Sequence, residues 1–447
     1  MRRTSWLAAR RVWWTGALTF VLVMKVSSIA DAHATLLSSV PAAGAKLTSM
    51  PSRLRLVFSE PIEPAMATIA LVNGAGRTTP LSVSGDPHDV HAIVADVIDA
   101  SAMPRGELRV LWHVVSADGH PVGGSFVFSV GTSDTAGVAA PPEPPSRPET
   151  SVWGPSIAGA PIIPALLRGV GVGCLLALGG LLTFMALSGT AGGRPERVAF
   201  FLSIAAPLFL GAHLAAWLIN ASPDHRADAA WMASTFASTV GKVELWRVGL
   251  SLLPLWALGL ARRRRLALGL TIPPLLVSTA VGHSAGIHPM WAIPFKAIHL
   301  IALALWMGGL SWIVVRERVD ARRTAADTAR VSTIALWAVV VVTISGIVQT
   351  LMLVQSIAGM RSAYGLVVVA KVVGLGVLVA FGAYHRRRLV GAVAARAEQA
   401  LVTLRSSVAR ELSVFCVVIL LGGFLAYLSP PISGTASARS QSSEARP

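Results

Sequence analysis

The chain has 447 residues, of which 53% are hydrophobic and only 13% charged, a composition too apolar for an ordinary soluble protein. Its formal net charge of +16 could suit a nucleic-acid binder, but the arginines fall in short clusters between apolar stretches, which points to a lipid bilayer and not to nucleic acid. Two cysteines, Cys174 and Cys416, sit far apart in apolar stretches, which excludes a disulfide framework and a Cys-x-x-Cys metal site.

At the start, Arg2, Arg3, Arg10 and Arg11 precede an apolar run from Val12 to Val26 and then Ala30-Asp31-Ala32. This is the layout of a secretory signal peptide over residues 1–32. Cleavage after Ala32 makes His33 the first residue of the mature chain. A first-residue histidine offers its α-amine and its imidazole, which can close a chelate on one Cu(II) in the tetragonal N,O geometry that ion prefers.

Residues 33–131 read as an exported all-β domain. Leu54, Leu56 and Phe58 alternate with Arg55 and Val57, and Thr68–Val72, His91–Val97 and Glu107–Val115 are further β-rich runs punctuated by Gly, Pro and Asp. Short strands at this spacing predict an antiparallel sandwich or barrel, and roughly one hundred residues suffice for a core of its own. Between the strands ending at Val115 and starting at Ser125 lies Ser116-Ala117-Asp118-Gly119-His120-Pro121-Val122-Gly123-Gly124, whose Gly and Pro force a tight connection. A carboxylate and an imidazole two residues apart on such a turn can point at one ion. The same tripeptide is also ordinary turn chemistry, with Asp118 capping its own backbone and His120 solvated. Adding His33 to Asp118 and His120 makes a set of three nitrogens and one oxygen.

His33-Ala34 with Leu36, the run Phe58-Ser59-Glu60-Pro61-Ile62, and Val115-Ser116-Ala117-Asp118-Gly119-His120-Pro121 together resemble the CopC copper-binding family. The resemblance implies a small Greek-key β-sandwich that binds Cu(II) through His33, Asp118 and His120. Some members of that family carry a methionine-rich Cu(I) site; here only Met50, Met66 and Met103 are scattered through the domain.

Residues 132–160 read as a linker rich in proline, with Pro141, Pro142, Pro144, Pro145 and Pro148. Residues 161–430 follow as an all-α membrane domain of eight transmembrane helices, at about 164–187, 198–220, 243–261, 266–283, 294–315, 332–354, 364–384 and 411–429. With the β domain exported, the clusters Arg262–Arg265, Arg316–Arg330 and Arg386–Arg388 fall on the inner side, as the positive-inside rule requires. Both termini then lie outside the cytoplasm, and residues 431–447 form a disordered tail.

Ionisable residues within spans are functional candidates by default. His213 falls in the second span, His283 at the outer end of the fourth and His299 in the fifth, while His385 lies beside an inner arginine cluster. Met307 is eight residues beyond His299 and on roughly the same helix face, and imidazole with thioether suits Cu(I). A hydrogen bond to a neighbouring helix is the alternative for His213. Lys371 and Glu411 are read as pairing with each other or with backbone carbonyls.

The segment from Phe295 to Leu310, together with Gly282-His283-Ser284-Ala285-Gly286, Tyr364-Gly365 leading to Lys371, and Arg410-Glu411, resembles the CopD family of copper-resistance membrane proteins. The joined order resembles the CopC/CopD fusion proteins. It implies a non-enzymatic copper protein of the cytoplasmic membrane: Cu(II) is captured outside, then passed as Cu(I) or Cu(II) along His213, His283, His299 and Met307, with a copper chaperone or reductase as further partner. Sequestration without transport, membrane electron transfer through haem and copper, and a copper oxygenase are the competing readings. Asp118 would fill the open position that an oxygenase needs.

Overall fold

A computed structural model describes residues 35–98, 105–116, 119, 121–131, 156–157, 160–189, 192–222, 228–280, 289–316, 321–354, 356–395 and 398–428. These divide into two compact units, one from 35–131 with 216–243 and the other from 156–215 with 244–428. The expected signal peptide, His33, Asp118, His120, His283, most of the proline-rich linker and the tail beyond 430 lie outside the described residues.

In the first unit, the alternation expected from the sequence becomes strand structure. The strands are β1 (Leu36–Val40), β2 (Lys46–Leu47), β3 (Arg53–Phe58), β4 (Thr68–Asn73), β5 (Thr78–Asp86), β6 (Asp89–Asp96), β7 (Gly106–Val115) and β8 (Pro121–Val130). They join edge to edge in the order β1-β3-β6-β5-β4-β7-β8-β2. The long β5 connects the two halves, because its first residues pair with β4 and its last with β6. Every pairing is antiparallel except β2 with β8.

The buried positions are those that a period of two selects: Leu54, Leu56 and Phe58 on β3, and Leu108, Val110, Trp112 and Val114 on β7. Residues of both halves meet in one apolar cluster, in which the rings of Phe58 and Trp112 lie edge to face at 5.2 Å. Burying each such side chain stabilises the fold by about 1.5–3 kcal/mol. On the outside of β3, Arg55 bridges Asp86 at 2.8 Å and Asp89 at 2.9 Å and so ties β3 to the β5–β6 hairpin.

The second unit is helical. Its main helices are α1 (Ile162–Ser188), α2 (Gly193–Ala221), α4 (Thr239–Gly259), α5 (Arg264–Leu270), α6 (Ile272–Val277), α7 (Pro289–Val315), α8 (Ala321–Leu353), α9 (Ala363–Tyr384), α10 (Val390–Ala394) and α11 (Glu398–Leu425). The short α3 (Ala229–Ala237) belongs to the first unit. Among the described residues six helices are long and apolar enough to cross a membrane: Ile162–Ser188, Gly193–Ala221, Met290–Val315, Arg323–Leu353, Ala363–Val393 and Gln399–Leu425.

The sequence led to an expectation of eight spans, and the difference has two local causes. Over 243–261 a helix does form, but Lys242, Glu244 and Arg247 break the apolar sequence of its first turns. Over 266–283 Pro273 and Pro274 follow Thr271, so the described part is two short helices and not one span. Where α1 crosses α7, Gly180 and Gly308 face each other so closely that a Cβ on either would meet the other's backbone. Gly308 is thus a close-packing contact between the two helices.

Candidate metal-handling sites

The turn between β7 and β8 is built from both sides. The last ladder pair is Val115 with Pro121, so residues 116–120 form the whole connection. Gly119 closes the turn by donating its N–H to the Ser116 carbonyl at 2.8 Å, with φ at +97° that favours glycine. Below the turn, Ser116 bridges Ile62, and the Glu63 N–H reaches the Val115 carbonyl at 2.9 Å. Ile62, the end of the Phe58–Ile62 run singled out in the sequence, and the next residue therefore meet the end of β7 where the turn begins.

Within the same unit, residues 216–243 pack on this end of the sheet. The Trp217 indole donates to the Gly119 carbonyl at 2.8 Å, and both residues are buried. Helix α3, capped by the Asp228 carboxylate on the Trp231 N–H at 2.8 Å, packs against the 3-10 turn Pro64–Met66. The Ser238 hydroxyl lies 3.6 Å from the Met66 sulfur. Met66, expected to be a scattered methionine, is fully buried core and not a surface thioether ligand.

In the helical unit the polar residues gather at three places. At the first, His213 is only 1% exposed; its Nε2 lies 2.7 Å from the Tyr427 hydroxyl and its Nδ1 3.5 Å from Glu244. Glu244 also takes Arg247 at 2.8 Å and Arg168 at 3.3 Å. Arg247 is fully buried, and its Nε and Nη2 have no acceptor among the described residues. Both Glu244 and Arg247 fall inside the span expected over 243–261. An acid and a base at i and i+3 in an apolar helix was the available signal.

At the second place, His299 Nδ1 lies 2.8 Å from the Ser345 hydroxyl, which itself donates to the Val341 carbonyl. Met307 is buried, and its carbonyl accepts from the Ser311 hydroxyl at 2.8 Å. Eight residues of helix at 1.5 Å each put about 12 Å between His299 and Met307 along α7. One ion cannot touch both, so the expected imidazole–thioether pair becomes two separate points on one helix face.

The third place was missed. His385 Nδ1 lies 3.1 Å from Glu411, and its Nε2 lies 2.8 Å from the Ser407 hydroxyl. Lys371, read from sequence as a possible partner of Glu411, instead directs its Nζ at Gly422 of α11. A histidine ending one span and a carboxylate opening the next was the signal, since consecutive helices pack antiparallel. Among the described residues no group of three or more His, Cys, Asp or Glu is placed to hold a metal ion.

The chain matches the CopC domain family over residues 36–131 and the copper resistance protein D family, CopD, over residues 325–425. It is 32% identical over 125 residues to the copper transport protein CutJ of Bacillus subtilis, covering 28% of this chain and 23% of that protein. The chain thus spans about a quarter of the length of that relative. It is 34% identical over 120 residues to copper resistance protein C of Escherichia coli, covering 25% of this chain and 93% of that protein. Among solved structures, CopC from Methylosinus trichosporium OB3b is 25% identical and covers 23% of this chain and 99% of its own, with a TM-score of 0.21. The chain belongs to the CopC family and joins its CopC domain to a CopD domain in one polypeptide.

Proposed function

We propose that the protein captures copper outside the cytoplasmic membrane and passes it to its own membrane domain for import. In this reading residues 1–32 are removed, and His33 at the new N-terminus joins Asp118 and His120 on a Greek-key sandwich to hold Cu(II). Two imidazoles, an amine and a carboxylate suit that ion. Residues 132–160 tether the loaded domain and raise its local concentration at the mouth of the spans. Copper then moves along His213, His283, His299 and Met307. Helix α4, whose Glu244 and Arg247 pair with each other, and the α5–α6 pair are the third and fourth of eight crossings, and both termini stay outside.

The observation that carries the reading is the presence of a CopC and a CopD domain in one chain. The turn closed by the Gly119 N–H on the Ser116 carbonyl, in the stretch that holds Asp118 and His120 in sequence, supports it.

The test is copper accumulation in cells making the intact protein, His33→Ala, His120→Ala or His299→Ala, with the mature N-terminus sequenced. Accumulation that is weakened in the first two variants and lost in His299→Ala supports import fed by the β domain. Copper levels indifferent to the protein, while purified protein still binds the ion, would leave sequestration as the function.

A further inference from the structure

A cavity of about 420 Å³ lies in the helical unit among α7, α8, α9, α10 and α11. Its walls are largely apolar, including Trp306, Leu336 and Val339, yet His385 and Glu411 both line it. Glu411 is only 1% and His385 only 7% exposed, so this is a carboxylate and an imidazole held out of water in direct contact at 3.1 Å. Such a pair is costly inside a membrane domain unless it has a task.

The backbone is irregular at the same point. His385–Leu389 forms a single π-helical turn between α9 and α10, a local widening that often accompanies functional sites. The turn bears His385, whose other nitrogen is held by Ser407 at 2.8 Å. The charged groups facing the pair are Arg386 and Arg387, which line the cavity from the same turn. Arg386 also reaches the Ser332 hydroxyl on α8 at 3.4 Å. From α7 and α8 the cavity takes only uncharged side chains, such as Trp306, Thr328 and Ser332.

Two strong donors and a hydroxyl are too few for a stable metal site, and no third His, Cys, Asp or Glu stands with them among the described residues. A carboxylate in contact with an imidazole can, however, take up one proton, share it, and return it to water admitted by the cavity.

We propose that His385 and Glu411 form a proton-carrying site that couples copper movement through the helical unit to the proton gradient. The step is a transfer of one proton, with no redox change: Glu411 and His385 share a proton taken from water on one side and release it to water on the other as copper passes. The inference rests on the transport reading above, and it adds a driving force to it.

The experiment uses the full chain in proteoliposomes, with radioactive copper supplied as the free ion and a trapped pH dye reporting protons. Expected for the intact protein are copper-dependent proton movement and a copper rate that changes severalfold with an imposed pH difference. In Glu411→Gln, which keeps the shape of the side chain, copper-for-copper exchange persists while proton movement and the response to the gradient are lost. Ser407→Ala, which removes a hydrogen bond but no proton carrier, retains both. Copper flux without protons in the intact protein, or coupling retained in Glu411→Gln, overturns the proposal and leaves the transport reading standing. An intact protein that moves no copper overturns the transport reading and this inference with it.

Discussion

Trp217 donates its indole N–H to the carbonyl of Gly119 at 2.8 Å, so the turn that carries the Asp118 and His120 positions is anchored by a residue nearly one hundred positions further along the chain. Neither partner is free to find water, since both are buried. The anchor fixes the turn where strand pairing has already ended at Val115 and Pro121.

Replacing Trp217 by Phe keeps most of the apolar ring but leaves the Gly119 carbonyl without its indole donor. An orphaned buried acceptor costs about 1–3 kcal/mol. Amide exchange of residues 116–120 is therefore expected to quicken by roughly tenfold or more, with exchange in β3 and β6 unchanged. Hydrogen–deuterium exchange on the full chain in detergent checks this, and unchanged protection of the turn would show that the anchor contributes nothing.

Gly119→Ala is expected to damage the turn in a second way. Its φ of +97° is unfavourable for any L side chain, and an added Cβ would lie 3.2 Å from the Val240 Cγ1 and 3.4 Å from the Trp217 Nε1. Backbone strain of this kind costs about 1–3 kcal/mol. The expected result is weaker Cu(II) binding with the β domain still folded, read by copper titration beside circular dichroism. Undiminished Cu(II) affinity would mean that the turn is not part of the site.

The Arg55 bridge sets an acid dependence. The guanidinium of Arg55 beside Asp86, helped by the His88 N–H, holds the Asp86 carboxyl below its ordinary value. A carboxyl depressed in the folded state stabilises the fold above its unfolded pKa and loses that contribution as pH falls through the folded one. Arg55→Met is therefore expected to weaken the β3–β6 ladder at neutral pH and to match the intact protein once Asp86 is protonated in both. Hydrogen exchange of β3 and β6 amides across pH 7 to 3 tests this. A difference between the two proteins that grows as pH falls would contradict it.

Much of the β domain was legible because its code is local. Alternation at Leu54, Leu56 and Phe58 names the buried face directly, and Gly119 marks the turn. The helical unit was legible in its long apolar helices and obscure where charge enters them. Glu244 and Arg247 look like a fault in a span until Arg168 of α1 and His213 of α2, itself held by Tyr427 just beyond α11, are seen to meet the carboxylate. The pairing of Glu411 with His385 and not with Lys371 is likewise a tertiary fact, decided by which faces of α9 and α11 meet. Spacing along one helix also overstated the link between His299 and Met307, because a shared face does not bring residues two turns apart within reach of one ion.

The Glu244 network yields the sharpest stability prediction. One carboxylate, 2% exposed, is answered by Arg247 at 2.8 Å, Arg168 at 3.3 Å and His213 at 3.5 Å. Removing the shared partner strands two guanidinium groups in a low-dielectric interior, and breaking a buried pair in this way costs about 3–5 kcal/mol. Glu244→Gln is thus expected to lower the thermal unfolding midpoint of the detergent-solubilised chain and its amount in membranes. Arg168→Gln should cost less, since its contact is longer and its side chain is 14% exposed, against 0% for Arg247. Adding Arg247→Gln to Glu244→Gln should recover part of the loss, because the stranded charge goes with its partner. A double variant no more stable than Glu244→Gln alone would mean that the carboxylate acts through something other than these arginines.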